Sequence, residues 1–396
     1  MSTKSGSIAG GALLIAGTTI GGGMLALPVL TSLGGFLPSL VVYFLCWVFM
    51  ASTGLLFLEV ALWMHKESNI VTMAERTLGV PGKIFAWTLY LFLFYSLTLA
   101  YVVGCGDLVS QLLNESVPNW ACSLLFVAIF APFVYAGPKI VGPLNVVLMI
   151  ALAVCYCVFV FLGYRFVNTE HFVYRNWSLS LDALPIAFTA FAYQGMVPTL
   201  VYYMNFDRRK IRLTILIGSF IPLVAYVIWQ WLILGIVPTF GPGGLAEVAQ
   251  EGGTAVQPLK TFIQSPWIYH VGQFFAFFAL LTSFFGVTLG LLDFLADGLQ
   301  VKKTALGKIM LCLLIFVPPL VVTFIHPGLF LRALDFAGGF GCSLLLGVLP
   351  ILMVWRGRYY LGLKSEDQLP GGRFVLVLLL LFVGVQLFSE LRERLF

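Results

Sequence analysis

Charge is what this sequence lacks. Only 10% of its 396 residues are Asp, Glu, Lys or Arg, against roughly a quarter in an ordinary soluble domain. Histidine is scarcer still. His65, His171, His270 and His326 all fall at the ends of apolar runs or between them. An enzyme buried in a membrane needs acid, base or nucleophile gathered at one depth, and no such group exists here. The seven cysteines show no metal-ligand spacing. Cys155 and Cys157, two residues apart, point in different directions on a helix. They read as small buried hydrophobes. No metal site or cofactor is expected, and the net charge of +5, scattered over connections, does not point to a nucleic-acid partner.

What is present is apolar length. Hydrophobic residues make up 60% of the chain, and the mean hydropathy is +1.00. Runs long enough to cross roughly 30 Å of hydrocarbon recur throughout. Eleven spans are expected, at 7–31, 36–63, 84–108, 120–136, 142–163, 180–204, 211–238, 267–299, 305–325, 329–355 and 374–391. The first is read as a retained span and not a removed leader. The bilayer is therefore the first partner.

Lys and Arg set the orientation. With the N-terminus inside, the outside keeps Arg165, Arg175, Lys260, Arg332, Arg392 and Arg394, and the remaining 16 of 22 lie inside. This predicts a cytoplasmic N-terminus and an external C-terminus. Residues 66–82 predict a short amphipathic helix stopped by Gly79 and Pro81. Residues 239–266 predict an external hairpin with helical pieces at Leu245–Gln250 and Pro258–Ile263, jointed at Gly252 and Gly253.

Two spans carry breaks. Span 1 contains "IAGTTIGGGMLALP", in which Gly17, Gly21, Gly22 and Gly23 each cost about 1 kcal/mol against Ala in a helix. Span 6 contains "FTAFAYQGMVPTL", with Gly195 followed by Pro198 as Gly23 is followed by Pro28. Unwound backbone cannot face lipid, so both breaks must face protein or a watered cavity. Spans 1 and 6 start five spans apart and run in opposite directions. Spans 1–5 and 6–10 can thus be inverted repeats, and paired interruptions mark a transporter's midplane site. The expected fold is an all-α polytopic membrane protein of eleven helices. Its parts are a first repeat (1–163), a second repeat (164–355) and an added C-terminal helix (356–396).

A half-helix starting near Gly23 offers N–H groups to a carboxylate. One ending near Gly17 offers carbonyls to an ammonium. Together they describe an α-amino acid. The backbone-binding candidates are Gly17, Thr18, Thr19, Ile20, Gly21, Gly22 and Gly23 in span 1, with Ala192, Tyr193, Gln194 and Gly195 in span 6.

The same stretches carry a resemblance. "AGTTIGGGMLALP", "IGSFIPLVAYVIWQ" and "SFFGVTLGLLDFLADG" resemble the bacterial hydroxy and aromatic amino acid permeases, a family within the amino acid–polyamine–organocation superfamily. "AGGFG" and "GRY" are similar to elements of the chlamydial tyrosine permeases. The resemblance implies a leucine-transporter-type five-plus-five inverted repeat, alternating access, a bacterial inner membrane and import of aromatic amino acids with protons. It also implies a side-chain pocket, for which Tyr95, Ser96 and Tyr101 of span 3 and Phe191 and Tyr193 of span 6 are candidates. The chain departs from the family at Gln194, in "FAYQG", where several members have histidine. Glutamine cannot titrate, so the coupling ion is either proton or sodium. Thr282 and Ser283 match paired hydroxyls that complete a cation site in related sodium-driven carriers. Glu59 and Asp293 are the first intramembrane acids to consider for protons, ahead of Asp107 and Asp297. The alternatives are a sodium-coupled carrier of other neutral amino acids and a sensor that retains the carrier fold.

Overall fold

The structure is a computed structural model that describes residues 6–64, 68–113, 116–263, 265–326, 328–363 and 368–395. Lys4, His65, Lys66, Lys364 and the Arg394 side chain lie outside them. Long apolar runs without internal charge fold as helices, since a helix satisfies its own backbone in hydrocarbon. Ten candidate spans follow one another: Phe36–Trp63, Val80–Leu112, Asn119–Ala136, Pro138–Phe166, Trp177–Tyr203, Arg208–Ile236, Pro266–Gly298, Ala305–Ile325, Phe330–Tyr359 and Gly372–Arg392. A bent pair, Ile8–Thr19 and Gly22–Gly34, precedes them as span 1, with 57° between its halves. The eleven expected spans are all present. Spans 3 and 8, at 33 residues each, are about 50 Å long at 1.5 Å per residue, so both must tilt.

Burial separates centre from rim. In their most apolar windows spans 6 and 10 are 72% and 78% buried, whereas spans 4, 5, 9 and 11 are only 22–28% buried. Lipid-facing helices therefore surround a centre made of the interrupted ones. The first half of span 1 lies along span 7, and its second half packs on the first half of span 6.

Local signals hold in the connections. The amphipathic helix runs Ile70–Leu78, capped by Asn69 Oδ1, which accepts from Thr72 N at 2.9 Å. It ends at Gly79, whose φ of 78° suits only glycine without strain. The loop after span 7 folds as Leu245–Glu251 and Leu259–Phe262. Between these pieces Ala255 reaches the second half of span 1, donating its N–H to Leu25 O at 3.0 Å. Ala255, Val256 and Leu259 are fully buried there, so the loop plugs this end of the bundle.

Span 10 departs from expectation. Its middle, Ala337–Val348, is wound as a π-helix instead of a regular α-helix. Ser343 Oγ lies 2.9 Å from Gly338 O and 2.6 Å from Gln386 Oε1 of span 11. These bonds hold the wider turn open. Gly338 sits hard against the Pro185 carbonyl of span 6, with no room for a Cβ. The sequence reading treated this run as one plain span.

Candidate functional site

The two breaks meet. The first half of span 1 ends at Thr19 and the second begins at Gly22, so the gap is narrower than Gly17–Gly23 and lies within it. The first half of span 6 ends at Ala190. A 3-10 turn over Gln194–Met196 follows, and the second half is Val197–Tyr203. Each first half-helix ends in carbonyls that its own turn cannot satisfy. Those of Thr19 and Ala190 converge on one atom. The Tyr226 hydroxyl of span 7 lies 2.8 Å from Thr19 O and 2.8 Å from Ala190 O. Two negative dipole ends thus point at one buried place, which favours a positive guest.

On the other side of the gap, the second half of span 1 presents its N-terminus. Gly22 N donates to Ser283 Oγ of span 8 at 3.3 Å. Glycine is needed here for close approach. A Cβ at Gly22 would lie 2.6 Å from the Tyr101 ring, and one at Gly23 would lie 2.9 Å from Ala190 Cα. Tyr101 also neighbours Ser283. Gly22, Tyr101 and Ser283 are therefore one cluster, drawn from three spans that the sequence could not place together. Positive dipole end and hydroxyls suit an anion such as a carboxylate.

The remaining candidates divide. Gly17 packs beside Met149 of span 5. Thr18 is exposed and bonds back to Leu14 O and Ile15 O. Thr19 is buried, with Oγ1 on Ile15 O. Ile20 is half-buried and closes the first half-helix, donating to Ala16 O at 2.8 Å. Gly21 is buried against Ser283. Phe191 is buried with its ring edge-on to Tyr226 at 5.1 Å and to Tyr43 at 6.4 Å. Ala192 and Ser96 are half-buried. Tyr95 turns away, donating to Leu314 O of span 9 at 2.8 Å.

Tyr193 and Gln194 turn toward span 2 instead of the gap. The Tyr193 hydroxyl donates to Met50 O at 3.2 Å. Gln194 Oε1 accepts from Tyr193 N at 2.9 Å, and its Nε2 faces Met50 O at 3.3 Å and Thr53 Oγ1 at 3.1 Å. It is fully buried and satisfied, a clasp between spans 6 and 2. Gly195, the next residue, is exposed. With Tyr90, Asn69, Thr72, Pro198 and Tyr202 it lines a 510 Å³ cavity.

Among the coupling candidates, Thr282 Oγ1 bonds to Phe278 O and Ala279 O of its own helix. Glu59 is buried and paired with Arg358 of span 10, Nε to Oε1 at 2.7 Å. Asp293 pairs with Lys303 at 2.7 Å and its side chain is 61% exposed. Asp107 accepts from Asn119 at 2.8 Å, and Asp297 is exposed. None of these acids stands at the break. Sequence reasoning missed Tyr226 and Arg358. Tyr226 is one of 15 tyrosines, and nothing local marks it. No group of three His, Cys, Asp or Glu that could hold a metal occurs among the described residues.

The profile of the Tryptophan/tyrosine permease family matches residues 4–389. The chain is 34% identical over 391 residues to tyrosine-specific transport system 1 of Haemophilus influenzae, covering 96% of this chain and 95% of that one. It is 29% identical over 410 residues to the tryptophan-specific transport protein of the same organism, covering 99% and 97%. Among solved structures, MhsT in complex with L-phenylalanine superposes with a TM-score of 0.66 at 16% identity, over 98% of this chain and all of that one.

Proposed function

The chain belongs to the tryptophan/tyrosine permease family, a transporter family and not an enzyme family, and we propose that it imports aromatic amino acids, tyrosine first, by ion-coupled symport. Tryptophan and phenylalanine are the alternative cargoes. The observation that carries this reading is the meeting of the Thr19 and Ala190 carbonyls at one buried point, with the Gly22 N–H across the gap. An ammonium and a carboxylate fit the two ends. The aromatic walls of Phe191 and Tyr101 suit a ring held between them. The named tyrosine and tryptophan relatives and the chlamydial likeness of "AGGFG" and "GRY" support the aromatic choice.

Alternating access gives the two ends different roles. The cavity at Gly195 opens beside Asn69 and Thr72 of the short amphipathic helix, on the end where the Arg208–Arg212 cluster lies. The other end is plugged by Ala255 and its neighbours. With the basic end cytoplasmic, in the bacterial inner membrane, the cavity lies on the inward side of the bundle and the plug on the outward side. Residues 1–163 and 164–355 form the two repeats, and 356–396 are the addition.

Protons lead as the coupling ion, and Glu59 leads as their acceptor. It is buried inside the bundle, whereas Asp293 stands exposed beside Lys303. Sodium is the second reading, favoured by the Ser283 hydroxyl at the span 1 break, since hydroxyls and carbonyls suit a hard cation.

The test is uptake of labelled tyrosine into proteoliposomes under an imposed proton or sodium gradient, with each of the twenty unlabelled amino acids as competitor. Competition by tyrosine, tryptophan and phenylalanine, driven by protons alone, is expected. Sodium-dependent uptake, or competition led by aliphatic residues, overturns the reading. Glu59→Gln is expected to remove proton dependence while leaving tyrosine exchange; loss of neither excludes Glu59 from coupling.

A further inference from the structure

The Tyr226 bond pattern is uneven. A phenol has one proton, yet its oxygen lies 2.8 Å from each of two carbonyls. At any instant one carbonyl goes without a donor. The pair is shut off from bulk solvent, since Tyr226 and Ala190 are 0% and 1% exposed. A primary ammonium at the same position would give both carbonyls a charged donor. Resting on the transport reading above, we propose that the Tyr226 hydroxyl is a stand-in for the substrate ammonium: it holds the two helix ends together in the empty carrier and yields them to the cargo.

An importer needs such a device. After releasing cargo inward it must close its gap and return empty. That step brings the Thr19 and Ala190 carbonyls together with no ammonium between them, and unpaired carbonyls in a buried gap oppose closure. A neutral hydroxyl on a neighbouring span removes the obstacle, and it can be displaced because it satisfies only half the need. Displacement is felt by packed neighbours. The Tyr226 ring meets Phe191 edge-on, and Phe191 meets Tyr43. The Tyr43 hydroxyl donates to Gln230 Oε1 at 2.6 Å and lies 3.2 Å from Thr31 Oγ1 at the far end of span 1. A chain of contacts thus runs from the gap to the plugged end of the bundle. Tyr226 is a positioning residue in this scheme, acting chiefly when no substrate is bound.

Net uptake and exchange separate the roles. Net uptake requires the empty return; exchange against internal tyrosine does not. In proteoliposomes of the full chain, Tyr226→Phe is expected to lower net tyrosine uptake about tenfold while exchange changes less than about twofold, the worth of one hydrogen bond falling on one step. In detergent, tyrosine is expected to raise the Tm of Tyr226→Phe more than that of the wild type, because only the empty form has lost a clasp. Equal loss of uptake and exchange, unchanged uptake, or equal Tm rises overturn the proposal. So does a variant that never accumulates in the membrane, which makes the hydroxyl a folding requirement. Failure of the wild-type protein to exchange tyrosine contradicts the transport reading itself instead.

Discussion

The two breaks are built differently. The gap in span 1 is closed by proximity: Gly22 lies under Tyr101, Gly23 against Ala190, and Gly21 against Ser283. The gap in span 6 is closed by hydrogen bonds: Tyr193 and Gln194 fasten it to Met50 and Thr53 of span 2. Beyond that clasp, Gly195 faces the cavity, and a Cβ there would find only the Tyr90 hydroxyl, 3.6 Å away. One break is a close-packed joint and the other a pinned joint beside the open path. The difference teaches that equal-looking glycines have unequal jobs. Those of span 1 let helices touch, and that of span 6 leaves the way clear.

The comparison can be broken by substitution. The largest effect is expected at Gly23→Ala. Its methyl meets Ala190 backbone, which cannot swing aside, and overpacking of this kind costs about 1–3 kcal/mol. Tyrosine uptake should fall at least about tenfold if the two half-helices can no longer meet. Next is Gln194→Leu, which leaves the buried Tyr193 N–H without an acceptor and removes the donor to Thr53, at a cost of about 1–3 kcal/mol. Thermal unfolding in detergent reads both. Gln194→His is gentler and sharper. It puts a titratable ring on the pin, and the pH profile of uptake should acquire a step between about pH 5 and 8. A profile like the wild type's removes this position from coupling. The smallest effect is expected at Gly195→Ala, within about 0.5 kcal/mol of wild type, with uptake nearly unchanged. If Gly195→Ala proves as damaging as Gly23→Ala, the two breaks are alike and the distinction fails.

The sequence reading reached far on the fold. Apolar length marks spans whatever packs beside them, so all eleven were found, and Gly79 and Gly252 marked the connections. Two glycine breaks at matching places foretold the interrupted centre. The π-helical middle of span 10 was not legible, because it depends on Ser343 meeting Gln386 from another helix. At the site, composition suggested which backbone would be bare, but not what would face it. Tyr226 is an ordinary tyrosine in an apolar run until two distant carbonyls arrive at its oxygen. Gln194 read as a ligand candidate because it sits in the break, yet its amide is satisfied by the Tyr193 N–H and by span 2. Glu59 looked like a lone acid, since Arg358 stands 299 positions away. In each case local chemistry was visible and the partner was not.

The most direct test is a structure of the protein with tyrosine bound. The substrate nitrogen is expected within about 3 Å of both the Thr19 and Ala190 carbonyl oxygens, with the Tyr226 hydroxyl withdrawn from at least one of them and the carboxylate at the Gly22 N–H. A ligand lodged elsewhere, with Tyr226 still bridging both carbonyls, would contradict the account.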